Sequence, residues 1–367
     1  MSHQYIRPLT TTNRLSTFDF LRGLAIIGVM VFHTVDKIPS HVGFIDKLAG
    51  QGMFGVQLFY FVSAITMCHM WRLREGESNP VGKFYLRRFF RIAPLFWIAI
   101  PVYLLIYGFE ASYWAPEGIG ALHIALTATF LHGFWVGSFN SVVPGSWSIA
   151  VEMMFYAVFP LFVLKIKDQK VVYLVLASVL WALNTFVFRG MMASYFAAHY
   201  DANSAIVVKE YLYMNFLNQA PIFLVGCYLY FALQTRPNLG ELLYLGAWFL
   251  TGFAFKLLYQ VEGCGFLLVY LALGALVYGC IKLGLGFKPL EKLGQNSYAI
   301  YLVHFMVLHY WKALSPLQAG LPGFLLGVVV VALGSYGLAL LAHTLVEKRV
   351  QRWVHGITQG GSRQKMA

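Results

Sequence analysis

The sequence predicts an all-α fold, namely a polytopic transmembrane helical bundle of about ten spans plus one re-entrant or interfacial helix. Three observations support this prediction. Hydrophobic residues make up 59% of the 367 residues, charged residues only 11%, and the mean hydropathy is +0.65. Apolar runs long enough to cross a ~30 Å hydrocarbon core recur along most of the chain. Lysine and arginine are concentrated in alternate connecting segments, as expected for loops on one side of a membrane.

The predicted spans follow the apolar runs in chain order. They cover residues 18–38, 52–71, 92–109, 147–166, 171–188, 211–233, 241–259, 264–282, 295–312 and 321–345. The apolar run at 119–137 is not counted as a crossing, because counting it would put Lys165 and the basic tail after His343 on different sides. We predict it to be re-entrant or interfacial.

The charge distribution predicts the orientation of the bundle. With the N-terminus inside, most of the 27 lysine and arginine residues lie on the inner side, as the positive-inside rule requires. We therefore predict a multi-pass protein of the inner (cytoplasmic) membrane with both termini cytoplasmic. Residues 1–367 form a single membrane domain, with a core at 18–349 and short tails. The net charge of +12 is explained by this topology, so no nucleic-acid partner is predicted.

The first span carries two polar residues, Arg22 and His33. They are eleven residues apart, which is about 20° beyond three full helical turns, so both lie on one face of the helix. Charged or titratable groups at this depth are costly unless they face a polar interior, which favours a functional role. The alternative is that Arg22 is a snorkelling anchor at the inner surface and His33 a hydrogen-bonded core residue.

Two further arginines, Arg88 and Arg91, precede the third predicted span and lie one helical turn apart. Their planar guanidinium groups suit polyphosphate, because each can hold two oxygens. The alternative is a positive-inside anchor. In the fourth span Glu152 lies at a depth comparable with His33 and is a candidate to orient that imidazole as a general base. Asp36 competes for this role, and the alternative for Glu152 is an ion pair with a neighbouring cation.

Weaker signals come from polar and aromatic side chains in other spans. Ser297, Tyr301 and His304 form a polar stripe, for which interhelical hydrogen bonding is the alternative to a role at the site. Trp147 and Tyr156 flank the outer approach to Glu152 and offer aromatic faces for stacking on sugar rings. Metal-ligand spacing is not found in the sequence, so no metal site is predicted.

Five segments, in order, resemble the signatures of the acyltransferase-3 family of integral membrane proteins. They are FDFLRGLAIIGVMVFH with Arg22 and His33, RRFFRIAPLFW with Arg88 and Arg91, SWSIAVEMMFYAVFP with Trp147, Ser148, Glu152, Phe155 and Tyr156, LGQNSYAIYLVHF with Ser297, Tyr298, Tyr301 and His304, and HTLVEKR with Glu347. One departure is the family's Ser-Gly-Phe element, which is Ser63-Ala64-Ile65 here. The extra methyl group of Ala64 is expected to narrow the local helix approach, so Ser63 is left outside the predicted site.

The resemblance implies O-acylation of a cell-surface carbohydrate with acyl-CoA as the co-substrate, acetyl being the favoured group, and no cofactor. The implied partners are acyl-CoA, a glycan or lipid-linked saccharide and the lipid bilayer. Arg88 and Arg91 would hold coenzyme A, Arg22 would steady the donor or thioester oxygen, and His33 would act as general base or carry the acyl group itself. The alternative function is a transporter or flippase for a lipid-linked glycan or small anion, disfavoured because no internal repeat is seen.

Overall fold

The computed structural model describes residues 12–166, 169–199, 205–235, 237–258, 265–315 and 319–363. These residues confirm the predicted all-α class. The helices in chain order are α1 (Thr12–Lys37), α2 (Gly43–Gly50), α3 (Gly55–Arg74), α4 (Pro80–Tyr107), α5 (Ala121–Ala128), α6 (Ser146–Lys165), α7 (Lys170–Ala182), α8 (Arg189–His199), α9 (Ala205–Met214), α10 (Phe216–Ala232), α11 (Leu239–Leu258), α12 (Gly265–Leu283), α13 (Lys288–Gln295), α14 (Ser297–Leu314), α15 (Gly320–Ala342) and α16 (Lys348–Arg363).

Within the described residues, seven helical stretches are long and apolar enough to cross a membrane. They are Ser16–Lys37, Gly43–Arg74, Pro80–Tyr107, Ser146–Lys165, Lys170–Ala198, Gly265–Leu283 and Gly320–Thr358. The predicted spans at 211–233, 241–259 and 295–312 also correspond to helices, but the predicted count of ten crossings is not confirmed. Helix α5 has eight residues and is therefore only about 12 Å long, too short to cross.

Large apolar side chains cover the outside of the bundle. Leu105 on α4 is 87% exposed and Leu314 at the end of α14 is 80% exposed. Exposing so many large apolar side chains to water would be unfavourable in free energy, whereas lipid tails solvate them. The exposed apolar surface is therefore the surface expected to face the bilayer.

Helix α4 begins at Pro80, well before the predicted span at 92–109, so that Arg88 and Arg91 lie inside a long helix, one turn apart as predicted. Pro80 is at its first position, where a missing N–H is tolerated. The preceding Asn79 caps the helix, because its side-chain oxygen accepts a hydrogen bond of 3.0 Å from the Gly82 N–H. The two guanidinium groups are thus carried on a rigid element.

Helix α1 lies in the middle of the bundle and packs against α3, α13, α14 and α15. Helix α3 packs in turn against α10, where Gly226 lies opposite Ala64. A Cβ atom at Gly226 would be 2.8 Å from the Ala64 Cβ and 2.8 Å from the Phe61 carbonyl oxygen. The expected narrowing by the extra methyl group of Ala64 is therefore accommodated by the missing side chain at Gly226.

Candidate active site

Three arginines from two helices line one cavity of about 80 Å³, which we call the arginine cavity. Arg22 comes from α1, and Arg88 and Arg91 come from α4. The polar and aromatic residues that share this lining are Tyr60, Ser63, Ser148, Glu152, Tyr156, Ser297, Tyr298 and Tyr301. The guanidinium groups outnumber the carboxylate of this lining, so the cavity is suited to an anion.

Arg22 is held inside the bundle by two side chains. Its guanidinium donates hydrogen bonds to Asp19 at 3.0 Å and to Thr66 of α3 at 2.8 Å. The same Asp19 accepts a hydrogen bond of 3.2 Å from Gln295 at the end of α13. Asp19, Thr66 and Gln295 belong to three different helices. This hydrogen-bond network therefore fixes Arg22 in a position facing the interior, unlike a snorkelling side chain.

Arg88 is positioned through an aromatic ring and a carboxylate. Its Cζ atom lies 5.2 Å from the centroid of the Tyr156 ring, within cation–π range. The Tyr156 hydroxyl donates to Glu152, and Ser63 of α3 donates to the same carboxylate oxygen at 2.7 Å. Glu152 therefore fixes the ring on which Arg88 rests.

Neither of the two carboxylates expected to orient His33 is placed to do so. Glu152 lies in the arginine cavity with Ser63 and Tyr156, because α6 turns this side chain towards α3 and α4. Asp36 is about half exposed at the end of α1 and pairs with Lys37 at 2.9 Å. Similar depth in the membrane thus did not bring Glu152 to His33.

His33 instead lines a second, larger cavity of about 690 Å³, which we call the histidine cavity. Its ring packs against two residues of α14, with centroid distances of 4.4 Å to Phe305 and 5.3 Å to His304. The His304 Nδ1 donates to the Tyr301 carbonyl oxygen at 2.7 Å. Among the described residues its Nε2 has no hydrogen-bond partner, so the buried His304 retains a free acceptor beside His33.

The two cavities share two lining residues, Val56 and Tyr301. The Tyr301 hydroxyl is held at the start of α6, where it donates to the Gly145 carbonyl oxygen at 3.0 Å and accepts from Ser148 at 2.8 Å. Gly145 has a φ of 77°, in the left-handed region, and a Cβ there would lie 2.8 Å from this hydroxyl. The tyrosine therefore forms a fixed wall between the cavities.

The remaining predicted residues divide between the two cavities. Trp147 lines the histidine cavity, whereas Tyr156 and Ser297 line the arginine cavity and so lie away from the imidazole. Ser63 lines the arginine cavity, although the sequence analysis left it outside the site. The sequence feature that could have identified it is its match to the serine of the family's Ser-Gly-Phe element in the second span. Within the described ranges no group of three metal-ligating side chains comes together.

Comparisons with known proteins identify relatives of this chain. The chain is 24% identical to the acyltransferase MdmB of Streptomyces mycarofaciens over 92% of each chain. It is 28% identical to the peptidoglycan O-acetyltransferase OatA of Listeria monocytogenes over 40% of this chain and 24% of that protein. BcsY of Komagataeibacter xylinus is 26% identical over 89% of this chain and 82% of its own length.

No solved structure matches the chain significantly. The family profile described as an acyltransferase domain matches residues 15–341, which is most of the sequence and includes both cavities. The chain therefore belongs to the acyltransferase-3 family of membrane acyltransferases.

Proposed function

We propose that this membrane acyltransferase transfers an acyl group, with acetyl favoured, from acyl-CoA to a hydroxyl of a cell-surface glycan or lipid-linked sugar. The observation that carries the proposal is the pair of cavities that share Val56 and Tyr301, one with three guanidinium groups and the other with His33. Similarity to a protein named as a peptidoglycan O-acetyltransferase supports a hydroxyl acceptor. The membrane is the inner membrane, with the arginine cavity and both termini on the cytoplasmic side.

The donor is held in the arginine cavity. Arg88 and Arg91 bind the phosphates of coenzyme A, since guanidinium groups form paired, charge-assisted hydrogen bonds with phosphate oxygens. Tyr298 supports this end of the site, because its hydroxyl donates at 2.7 Å to the carbonyl oxygen of Ile92, next to Arg91. Arg22, deeper along the bundle, steadies the thioester oxygen as negative charge develops there.

The chemical step takes place beside His33. The imidazole removes the proton from the acceptor hydroxyl while the hydroxyl oxygen attacks the thioester carbonyl carbon. The carbon–sulfur bond then breaks, and the coenzyme A thiolate takes the proton from the imidazolium. His304 positions His33 in this step, because the two rings pack together with 5.3 Å between their centroids. In the second route the thioester first transfers its acyl group to His33 and releases coenzyme A, and the acceptor hydroxyl then takes the acyl group from acyl-His33. The net reaction is the same.

Replacement of His33 tests the proposal directly. We expect His33→Ala to lower the rate of acyl transfer about 100-fold to 10,000-fold, which is the contribution of a general base. The matched control is His309→Ala, because His309 on α14 packs on Tyr107, 5.0 Å away between ring centroids, and does not line the histidine cavity. Near-normal transfer by His33→Ala would remove His33 from the mechanism.

An assay with radiolabelled acetyl-CoA distinguishes an acyltransferase from a transporter or flippase. Purified protein in nanodiscs is given this donor and a surface glycan fraction, and the label is followed in glycan, free acetate and donor. Label in an ester-linked glycan supports the proposal. Flux of a glycan or anion across vesicles without ester formation would support a transporter or flippase instead. Mass spectrometry of the glycans then identifies the acyl group from the mass increment.

A further inference from the structure

The depth at which helix α15 ends can be read from the helices beside it. Helices α14 and α15 pack together and are joined by a short link, so they run antiparallel. Gly334 of α15 is level with Val307 of α14, because a Cβ on this glycine would lie 3.0 Å from the valine side chain. Tyr298, about 14 Å further along α14, donates to the Ile92 carbonyl oxygen of α4 at 2.7 Å. Helix α15 therefore reaches the level of Ile92 near its end at Ala342.

Helix α16 stays close to this level. Trp353 packs on Phe90 of α4, with 5.0 Å between the ring centroids. This tryptophan lies about 16 Å of helix beyond Ala342, whereas Phe90 lies only about 3 Å beyond Ile92 on α4. The π-helical segment His343–Glu347 separates α15 from α16, and π-type turns are a common cause of helix kinks. These distances indicate that α16 turns at this segment and runs close to the membrane plane.

The apolar residues of α16 form two neighbouring stripes. Helix α16 packs along α4, and its Val354 and Thr358 are buried. Trp353 and Ile357 lie on the adjacent face and are 53% and 49% exposed. An apolar stripe that is exposed at the level of the membrane surface can be covered by the boundary between headgroups and acyl chains, where indole rings are enriched.

The third face of α16 is basic, with the exposed side chains of Lys348, Arg349 and Arg352. Among the residues that the structure describes, none of the three forms a salt bridge, and the Arg352 Nε donates at 3.3 Å to the Lys348 carbonyl oxygen. Glu347, the last carboxylate side chain in the sequence, pairs with His343 at 2.9 Å. The positive charge of this face is therefore available to an external anion.

We propose that α16 is a membrane-surface helix that binds the phosphate groups of anionic lipids through Lys348, Arg349 and Arg352. Trp353 and Ile357 insert beside these headgroups. Each lysine or arginine near an anionic leaflet strengthens attachment to it, so three cations on one helix favour a negatively charged surface. The positive-inside rule accounts for the side of the membrane on which the cations lie. The exposed apolar stripe next to them indicates contact with the bilayer itself.

Hydrogen–deuterium exchange of α16 tests the proposal. Full-length protein is placed in nanodiscs of phosphatidylcholine alone or of phosphatidylcholine mixed with phosphatidylglycerol, and exchange of the backbone amides of residues 348–358 is followed by mass spectrometry. We expect exchange to be about tenfold slower in the anionic nanodiscs, because lipid binding holds the helix at the surface. High salt should remove most of this difference, since it screens exposed charges.

Two matched variants show whether the basic face is responsible. The double variant Lys348→Gln/Arg352→Gln should lose most of the dependence on phosphatidylglycerol. The control is Lys288→Gln/Lys292→Gln, which likewise removes two exposed positive charges four residues apart, in this case on α13. It should exchange in α16 as the wild-type protein does in both lipids. Because all four side chains are exposed, both variants are expected to keep the wild-type elution profile.

Each outcome supports or overturns the proposal. Equal exchange of α16 in the two lipids by the wild-type protein, or an unchanged lipid dependence in the α16 variant, would overturn it. Protection that is independent of lipid charge but rises with protein concentration would assign this face to a second copy of the chain and would also overturn it. The readout is lipid binding, so failure here leaves the proposed acyl transfer intact, and absence of acyl transfer leaves this proposal intact.

Discussion

Two charged residues within the apolar helices, Arg22 and Glu152, have specific hydrogen-bond partners at the site. Arg22 is bound by Asp19 and Thr66, and Glu152 is bound by Ser63 and Tyr156. Such contacts offset the cost of removing these groups from water, because a buried charge without partners is strongly unfavourable. The side chains that remain available to a ligand are therefore Arg88 and Arg91 on one side and His33 on the other.

Removal of Arg88 and Arg91 should weaken donor binding. We expect the double variant Arg88→Ala/Arg91→Ala to raise the KM for acetyl-CoA about 100-fold, since each charge-assisted hydrogen bond contributes roughly 1.5–3 kcal/mol. The acceptor KM should change little. The matched control is Arg87→Ala, because Arg87 directly precedes Arg88 in sequence but pairs with Glu77 at 2.7 Å and does not line the arginine cavity. An effect confined to the acceptor would contradict the assigned role.

Glu152→Gln distinguishes the two roles considered for this carboxylate. Because Glu152 holds Tyr156 under Arg88, we expect the variant to raise the donor KM about tenfold and to leave kcat and its pH dependence close to wild type. Had Glu152 oriented His33, kcat would fall and its pH profile would shift. Glu241→Gln is the control, since Glu241 also accepts a hydrogen bond from a tyrosine, Tyr228 at 3.0 Å, and lines neither cavity.

At the scale of helices, close packing of α3 against α10 fixes the lateral position of Ser63. The contact depends on Gly226, where any side chain would meet the backbone of Phe61 as well as Ala64. Backbone atoms cannot move aside as a flexible side chain can, so the helices would have to separate. The position of the Ser63 hydroxyl relative to Glu152 follows from this contact.

Gly226→Ala tests the role of the close approach. We expect it to destabilise the protein by about 1–3 kcal/mol, the usual cost of overpacking, with a lower melting temperature in detergent. Ala64→Gly added to this variant should recover part of the loss. Gly246→Ala in α11 is the control, because nothing lies within 4 Å of a Cβ there and alanine is the better helix former. Equal melting temperatures for the Gly226 and Gly246 variants would contradict the packing argument.

The positions of the helices along the chain were largely predictable from the sequence, but which helices pack against each other was not. Hydropathy placed a span at 147–166, and α6 runs from Ser146 to Lys165. Depth along a helix follows from such boundaries, and it put Glu152 level with His33. Which helix faces which depends on packing between distant segments, such as Ala64 with Gly226, and no local pattern reveals it. The same reason explains why Ser63 was left out and why the expected pairing with His33 did not occur.

For the molecule as a whole, the narrow contact between the two cavities is the critical feature. Under the proposed function, the acyl-bearing arm of the donor would have to cross the boundary formed by Val56 and Tyr301 to reach His33, because these residues line both cavities. Val56 is only 7% exposed, so a larger side chain there would crowd this boundary. The size of residue 56 should therefore control acyl transfer.

A series at position 56 tests this. We expect Val56→Ala to remain active and Val56→Leu and Val56→Trp to lose acyl transfer progressively, with the tryptophan variant below about 1% of wild type. Binding of coenzyme A and of the acceptor is measured separately by calorimetry in each variant that keeps the wild-type elution profile, and loss of transfer with binding retained supports the role of this boundary. Full activity in Val56→Trp would show that the acyl group takes another route.

The wall formed by Tyr301 also has a consequence for the cell's energy supply. A protein that simply opened a water-filled hole between its two co-substrates would short-circuit the electrochemical gradient, since each charge crossing a 100 mV potential dissipates about 2.3 kcal/mol. Under the proposed function, the phenol ring of Tyr301, hydrogen-bonded at the start of α6, would separate the donor cavity from the acceptor cavity. An uncharged acyl chain is narrow enough to pass beside this ring, whereas ions are not expected to cross it. Acyl transfer across the bundle would therefore be compatible with maintaining the membrane potential.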